Sequence, residues 1–229
     1  MKRNASLESP VAMIRSCQIG MLQVDLDRHS ALSEAMAPGL VMEAKMQLAR
    51  DLEHHLRSWR LGLISWAGDG GIFGIECRKM ADFDAVVLGG ELVFHVLNNV
   101  NAMYAKRFPS GRKLILRVSG HFGSILTVPE PRFWHGRELN FFAKHERELS
   151  SPGMFSITRQ LRDTLSQEAR EKFPDNRGIT KTIGNELVAI YFHEGYGDFA
   201  RLQRELRITS PRKSPGSQRQ TPVLPARSG

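Results

Sequence analysis

Apolar residues recur at two different spacings along this chain, and the two spacings together predict a mixed α/β (α+β) fold. Alternating or short apolar runs predict strands at 18–26, in a hairpin at 60–78, and at 113–118, 123–128, 154–157 and 186–193. Apolar residues near helical period predict helices at 40–57, 83–108, 137–149 and from 156 to about 173. Glycines at 120 and 123 predict a turn between two of the strands. The first six elements have the β-α-β-β-α-β order of a ferredoxin-like sheet, which a C-terminal helix and strands extend.

The sharpest local signal is the segment Gly68-Asp69-Gly70, which separates two apolar runs. This pattern predicts a tight hairpin turn with a carboxylate at its tip. A second carboxylate, Asp25, ends an earlier apolar run. In a ferredoxin-like sheet the first strand and the hairpin can lie side by side, so the two carboxylates can converge. Each also has a simpler interpretation, because many such turns only turn and Asp25 can cap a helix.

Composition and charge divide the chain into three parts. Its 229 residues are 41% hydrophobic, which is enough to bury a substantial core within residues 18–208. Residues 1–17 are predicted to be an N-terminal arm. Residues 209–229 contain four prolines, four basic residues and no acidic residue, so they carry half of the net charge of +8 and are predicted to be a disordered basic tail. Contact of this tail with nucleic acid or anionic lipid is an open alternative.

Several protein classes do not fit this sequence. No stretch approaches the roughly 20 apolar residues that a membrane span needs, and the first residues lack the apolar core of a signal peptide. Two cysteines do not make a disulfide framework, and no CxxC or HExxH motif indicates zinc. The expected location is therefore the cytoplasm, with reduced thiols.

Four segments match, in order, the motifs of one enzyme family. Asp25–Glu34 is similar to Asp-Leu-Val-Gly-Phe-Thr-Ala-Leu-Ser-Glu, and Gly68-Asp69 to a Gly-Asp pair. Leu116–Gly123 is similar to Arg-Ile-Gly-Ile-His-Thr-Gly, and Gly136–Lys144 to Gly-x-x-Val-Asn-x-Ala-x-Arg. Over about residues 18–193 the chain therefore resembles the class III nucleotide cyclases, the family of adenylate and guanylate cyclase catalytic domains.

The resemblance implies a two-metal reaction. In this family the ribose 3′-hydroxyl attacks the α-phosphorus in line and expels pyrophosphate, with two divalent ions, Mn²⁺ or Mg²⁺, as cofactors. The implied metal ligands are the carboxylates of Asp25 and Asp69 and the carbonyl of Leu26, in keeping with the preference of hard ions for oxygen. The next residues lead into a helix N-terminus, where backbone N–H groups can hold a triphosphate. The implied phosphate-binding residues are Arg28, His29 and Ser30.

Two further positions carry the implied catalytic groups. Asn140 matches the family asparagine that orients the ribose, and Lys144 stands where the family has an arginine that stabilises the pentavalent phosphate. The two lie four residues apart and so share one helix face. Lysine keeps the charge but loses the bidentate fork of arginine. Arg147, about one turn further, is an alternative, and both Asn140 and Lys144 can also be read as ordinary solvated surface residues.

The positions that read the base depart most from the purine cyclases. Ser65 stands where purine cyclases carry a lysine, and Phe133 falls on or near the position of their Asp or Thr. A hydroxyl and a ring suit a smaller base, through one hydrogen bond and stacking. The chain thus resembles the bacterial pyrimidine cyclases of anti-phage defence. This resemblance implies a lyase that converts UTP, or CTP as second choice, to a 3′,5′-cyclic nucleotide and pyrophosphate.

The resemblance also implies partners, and other functions stay open. The implied assembly is a homodimer with shared active sites, and its product is read by a separate effector. One alternative is a catalytically degenerate cyclase-like module that binds a nucleotide or a protein, and another is a cytidylate or adenylate cyclase. A nucleic-acid-binding ferredoxin-like domain fits less well, because strands 113–118 and 123–128 lack the aromatic and basic residues that such sheets use. No stable nucleic-acid partner is expected.

Overall fold

The computed structural model describes residues 14–27, 34, 37–108, 112–128 and 133–209, with backbone alone for Phe133 and 205–209. The chain divides into two units, Met1–Gly197 and Asp198–Gly229. Most of the predicted arm, the predicted tail from residue 210 onward, and the predicted phosphate-binding segment at 28–30 lie outside the described residues. Within the described residues, no helix has the length and apolar character that crossing a membrane requires.

The described part of the first unit contains one mixed eight-stranded sheet. Its strands are β1 (Arg15–Leu26), β2 (Gly62–Ala67), β3 (Gly70–Glu76), β4 (Leu116–Val128), β5 (Phe133–His135), β6 (Phe155–Thr158), β7 (Gly178–Ile183) and β8 (Glu186–Phe192). The order across the sheet is β2-β3-β1-β4-β6-β8-β7, and β5 also pairs with β4. Only the β4–β6 pair is parallel among these. The order β2-β3-β1-β4 is that of a ferredoxin-like sheet and confirms the predicted fold class.

Two long helices and several short ones accompany the sheet. The helices of the first unit are α1 (Pro38–Ser58), α2 (Met80–Tyr104), α3 (Arg137–Lys144), α4 (Glu146–Leu149), α5 (Arg159–Arg162) and α6 (Gln167–Glu171). The second unit has α7 (Phe199–Thr209). Helix α1 begins at Pro38, since proline is tolerated in a first helical turn. The predicted helix at 137–149 is instead two helices that meet at His145, and the predicted helix at 156–173 is α5 and α6.

The predicted turn between residues 120 and 123 is wrong. Gly120 and Gly123 lie inside the continuous strand β4, which pairs with β1 from Arg15 to Leu26. Both glycines are sites of close packing. A Cβ on Gly120 would lie 2.9 Å from Leu161 Cδ2, and one on Gly123 would lie 2.5 Å from Glu138 Cγ. These glycines therefore let α5 and α3 approach the strand and do not reverse the chain.

Near the end of β1, apolar side chains face the hydrophobic core and polar side chains face the other side of the sheet. Leu22, Val24 and Leu26 belong to the buried core that includes side chains of α1 and α2. Side chains alternate along a strand, so Gln23 and Asp25 face the other side. Both are nearly fully buried as well. The sheet thus holds polar groups at a fixed place on its second face.

A glycine pair in the long helices offers a test of this packing. A Cβ at Gly90 in α2 would overlap the ring of Phe155 in β6, whereas one at Gly39 in α1 meets nothing within 4 Å. We expect Gly90→Ala to lower the free energy of unfolding by about 1–3 kcal/mol, despite the higher helix propensity of alanine. The matched control Gly39→Ala is expected to leave it unchanged or raise it by up to about 1 kcal/mol. The measurement is urea denaturation of both variants. A Gly90→Ala protein as stable as the parent would contradict the close packing of Gly90 against Phe155.

Candidate active site

The structure brings the three predicted metal ligands together at the ends of β1 and β3. The antiparallel pairing of these strands sets Asp25 opposite Gly70, the residue after Asp69. The backbone N–H of Leu26 donates a hydrogen bond to the carbonyl oxygen of Asp69 at 3.2 Å. Asp25 is only 3% exposed, whereas Asp69 is partly exposed in the turn between β2 and β3. One buried and one accessible carboxylate therefore flank the same backbone junction.

Arg117 joins this group from the neighbouring strand. The pairing of β1 with β4 sets Arg117 opposite Asp25. Its Nη1 donates to Asp25 Oδ2 at 2.8 Å, and its Nη2 donates to Asp27 Oδ1. Asp27 is 4% exposed. Neither Arg117 nor Asp27 was among the predicted site residues, although the spacing of Asp25 and Asp27 on a strand was a usable signal, since residues two apart share a face.

The electrostatics of this region identify a further carboxylate. Burial raises the pKa of Asp25; the hydrogen bond from Arg117 opposes this shift, and the charge of Asp69 adds to it. Burial also raises the pKa of Glu146 in α4, and the charges of Asp25 and Asp69 raise it further. Carboxylates that disfavour each other's charge in a buried region stabilise added positive charge. The sequence analysis missed Glu146, whose position beyond α3 carried no local signal.

The oxygen donors of this site fit a divalent ion whose coordination shell is completed by other groups. Among the described residues, no three His, Cys, Asp or Glu side chains are arranged to enclose a metal ion. The structure offers two carboxylates, Asp25 and Asp69, beside the backbone of Leu26. Mg²⁺ is commonly held by one or two carboxylates, water and the phosphates of a substrate, and rarely by an all-protein cage. The donor chemistry therefore suits a hard ion that is bound together with a phosphorylated ligand.

Asn140 and Lys144 lie on the exposed face of α3. The buried Phe142 anchors this helix, while Asn140 and Lys144 are both exposed. Among the described residues, no hydrogen bond or ion pair is recorded between either of them and the aspartates of the same chain. Arg147 differs, because its charge lowers the pKa of Asp25. Arg147 therefore lies within electrostatic range of Asp25 of its own chain, and Asn140 and Lys144 are free to face another molecule.

The hairpin of β7 and β8 borders α3. Arg137 at the start of α3 forms an ion pair with Glu186 at the start of β8. Gly184, in the turn of the hairpin, has a φ of +59° and lies beside His145. Strand β7 was not predicted, although its turn residues Gly184-Asn185 were a recognisable hairpin signal. The hairpin therefore contacts α3 at its first residue and at the residue that follows its end.

His121 ties the same helix to the sheet from within. Its side chain is 1% exposed and lies on β4. Its Nδ1 is 2.9 Å from Thr158 Oγ1, and its Nε2 is 2.9 Å from Glu138 Oε2. The hydrogen bond with His121 lowers the pKa of Glu138. This histidine of the third motif therefore positions α3, the helix that carries Asn140.

The two predicted base-reading residues lie on strands that do not adjoin. Ser65 is exposed on the edge strand β2, next to an irregularity in the pairing with β3. Phe133 starts β5, pairs with Val128, and has a side chain outside the described residues. Strands β3, β1 and β4 separate β2 from β5. The backbone positions of Ser65 and Phe133 are therefore on non-adjacent strands of the sheet.

A groove of about 470 Å³ lies away from the aspartates, along the first half of β1. Its lining consists of Gln18, Phe122, Gly123, Ser124, Arg137, Glu138 and Gln160. None of the predicted site residues belongs to this lining.

Comparisons with known proteins show the fold. No protein-family model and no curated protein matches the chain. The guanylyl cyclase Cya2 superposes on 80% of this chain and 95% of its own, with a TM-score of 0.67 and 15% identity. The adenylyl cyclase CyaB from P. aeruginosa superposes on 81% of this chain and 96% of its own, with a TM-score of 0.66 and 14% identity. A third similar structure is an atypical dimeric guanylyl cyclase domain of the RhoGC fusion protein from the aquatic fungus Blastocladiella emersonii. It superposes on 80% of this chain and 99% of its own, with a TM-score of 0.59 and 12% identity. The chain therefore has the fold of adenylyl and guanylyl cyclase catalytic domains.

Proposed function

We propose that this protein is a metal-dependent nucleotide cyclase that converts UTP to 3′,5′-cyclic UMP and pyrophosphate. The observation that carries the cyclase assignment is the meeting of Asp25, Leu26 and Asp69 on adjacent strands of a cyclase fold. In the reaction, a bond forms between the ribose O3′ and the α-phosphorus. The bond from the α-phosphorus to the oxygen bridging to the β-phosphate breaks. The hydroxyl proton passes to solvent, and pyrophosphate leaves.

The residues of this chain divide the work of the reaction. Two divalent ions, Mn²⁺ or Mg²⁺, supply Lewis-acid activation and charge neutralisation when they are bound. Asp25, Asp69 and the carbonyl of Leu26 would hold them. Backbone and side chains at Arg28, His29 and Ser30 bind the triphosphate in this proposal. The partly exposed Asp69 gives the phosphates access, while the buried Asp25 lies at a fixed place at the end of β1.

A homodimer completes the site in this proposal. Asn140 and Lys144 are exposed on α3, and no hydrogen bond or ion pair joins them to an aspartate of their own chain among the described residues. In the dimer one subunit gives Asp25 and Asp69, and the other gives Asn140 and Lys144 together with Ser65 and Phe133. RhoGC forms an atypical dimer, so the arrangement proposed here rests on the exposed face of α3 and not on that structure.

The choice of base is expected to appear directly in a product assay. Ser65 offers one hydrogen bond, and an aromatic residue at 133 leaves less room for a two-ring base. We expect UTP to be the best substrate and CTP the second, with ATP and GTP at least about tenfold slower, which corresponds to about 1.4 kcal/mol. The measurement is incubation of purified protein with each nucleotide and Mn²⁺, followed by mass analysis of the products.

Two controls make this assay decisive. Asp69→Asn protein, purified in the same way, reports contaminating cyclases. Ser65→Lys combined with Phe133→Asp is expected to reduce UTP turnover and raise relative ATP turnover, because it restores charged groups that can read a purine edge. Faster formation of cyclic AMP than of cyclic UMP by the parent protein would overturn the pyrimidine assignment and leave a purine cyclase.

The proposed biological role is that of a signal source in bacterial anti-phage defence. It rests on the departures from the purine pattern at Ser65 and Phe133, and it implies a separate effector that reads the cyclic nucleotide. The test is the level of cyclic UMP in bacteria expressing the chain, before and after phage infection. A level that stays at that of the Asp69→Asn strain throughout infection would contradict this role.

A nucleotide-binding module without turnover is the second candidate. Lys144 in place of an arginine favours it, because a lysine cannot form the bidentate contact with the phosphate. Calorimetric binding of UTP without any cyclic product, under conditions in which Mn²⁺ is bound, would establish this second function in place of the first.

A further inference from the structure

We infer that Arg117 and Asp27 are positioning residues that prepare Asp25 for a divalent ion: Arg117 neutralises Asp25 in the metal-free protein, and Asp27 retains Arg117 when the ion takes over Asp25. The inference rests on the metal site of the proposed function and adds two residues to it. Neither residue touches the reacting atoms in this scheme; both act through Asp25.

The geometry of Arg117 suits an exchange of partners. Its two Nη atoms bind different carboxylates, one Asp25 and the other Asp27, and do not form a fork on a single carboxylate. If Asp25 turns to another cation, the contact with Asp27 therefore remains. The backbone N–H of Asp27 donates to the carbonyl of Ile115 at 2.8 Å, which fixes Asp27 beside β4. Asp27 can thus hold the guanidinium in place without help from Asp25.

Burial makes this arrangement necessary. Asp25 and Asp27 are 3% and 4% exposed, and the side chain of Arg117 is 16% exposed. A buried carboxylate without a cation is strongly unfavourable. In the metal-free protein Arg117 supplies that cation. Once a divalent ion is bound, an unpaired guanidinium nearby would repel it, and the charge of Asp27 cancels this repulsion.

The two residues therefore affect metal affinity in opposite directions. Asp27→Asn keeps the size and one acceptor but removes the charge that balances Arg117, so we expect the Kd for Mn²⁺ to rise about tenfold. Arg117→Gln removes the competing cation, so we expect the Kd for Mn²⁺ to fall. The same variant removes the cation that pairs with the buried Asp25, so its metal-free form should melt at a lower temperature than the parent and be stabilised more than the parent by added Mn²⁺. If the ion pair were merely structural, both variants would be less stable, but their Kd values for Mn²⁺ would not change in opposite directions.

A second pair in the molecule provides the matched control. Arg60 Nη1 donates to Asp82 Oδ1 at 2.6 Å, and the side chain of Asp82 is 3% exposed. This pair also joins an arginine to a buried carboxylate, but it lies at the start of α2. Arg60→Gln is expected to lower the melting temperature and to leave the Mn²⁺ affinity unchanged.

The experiment titrates the full chain with Mn²⁺, alone and with pyrophosphate to supply phosphate oxygens, and follows free Mn²⁺ by electron paramagnetic resonance. Melting temperatures are recorded with and without the ion. Opposite changes in affinity for Asp27→Asn and Arg117→Gln, with none for Arg60→Gln, support the inference whether or not UTP is turned over. Mn²⁺ binding by the parent with the same affinity in all variants overturns the inference and leaves the proposed function standing. Failure of the parent to bind Mn²⁺ in either arm overturns both.

Discussion

Asp69→Asn and Asp25→Asn are each expected to remove nearly all nucleotide cyclase activity, by at least about 1,000-fold, which corresponds to about 4 kcal/mol. Asparagine keeps the size of the side chain but loses the negative charge that a hard divalent ion requires. Loss of a metal ligand weakens the stabilisation of the negative charge that develops in the transition state. The measurement is the initial rate of product formation from UTP at saturating Mn²⁺.

The fold should survive both substitutions, so the loss can be assigned to chemistry. Asp69 lies in a partly exposed turn, and in Asp25→Asn the guanidinium of Arg117 keeps Asp27 as its partner. Asp51→Asn is the matched control, because Asp51 is also partly exposed and accepts a hydrogen bond on the surface helix α1. Circular dichroism and melting curves report the fold. Full activity in either Asp69→Asn or Asp25→Asn protein would end the two-metal assignment.

Mixing two inactive variants is expected to restore activity. Asp69→Asn chains keep Asn140, and Asn140→Ala chains keep Asp69, so a mixed dimer with shared sites contains one intact site. Random exchange should then return up to about a quarter of the parent activity, since about half of the dimers are mixed and each has one of two sites. Each variant alone should stay near background. The assay is the rate from UTP after equal amounts of the two proteins are incubated together at micromolar concentration.

The control for this experiment places both substitutions in one chain. A chain with both Asp69→Asn and Asn140→Ala leaves no intact site in a mixed dimer with the parent protein if the sites are shared. Mixing it with an equal amount of parent protein should therefore lower the parent's activity by about half, which shows that subunits exchange. Native mass spectrometry confirms the mixed dimers. If they form and the two single variants still show no recovery, the active site is not shared, and Arg147 of the same chain becomes the favoured catalytic cation.

Local sequence signals predicted the elements that local forces determine. The apolar alternation before Asp25 and the Gly68-Asp69-Gly70 turn correspond to the end of β1 and the β2–β3 hairpin. The same local reasoning failed at Gly120 and Gly123. Glycines in isolation indicate a turn, but pairing with β1 keeps β4 a continuous strand through both glycines. That pairing joins residues about a hundred positions apart, so no short window of sequence contains it.

The sequence also failed to predict the edge strand β7 and the end of helix α3. Strand β7 is an edge strand with few buried residues, so it has little apolar alternation to detect. The break at His145 depends on how α3 packs against β4 and the β7–β8 hairpin, and helical period continues across it. Packing outside the segment decided the break at His145, whereas β7 lacked the apolar alternation that would have indicated a strand.

The sequence by itself determined the class of fold, the order of its first six elements and the two carboxylates at strand ends, because alternation, helical period and turn residues act over a few neighbours. Only the tertiary structure decided that Arg117 links Asp25 to Asp27, that the charges of Asp25 and Asp69 reach Glu146 and that Asn140 and Lys144 face outward. The physical reason is that charge interactions depend on distance through space and on burial. Strand pairing sets both, and it joins residues that lie far apart in the chain.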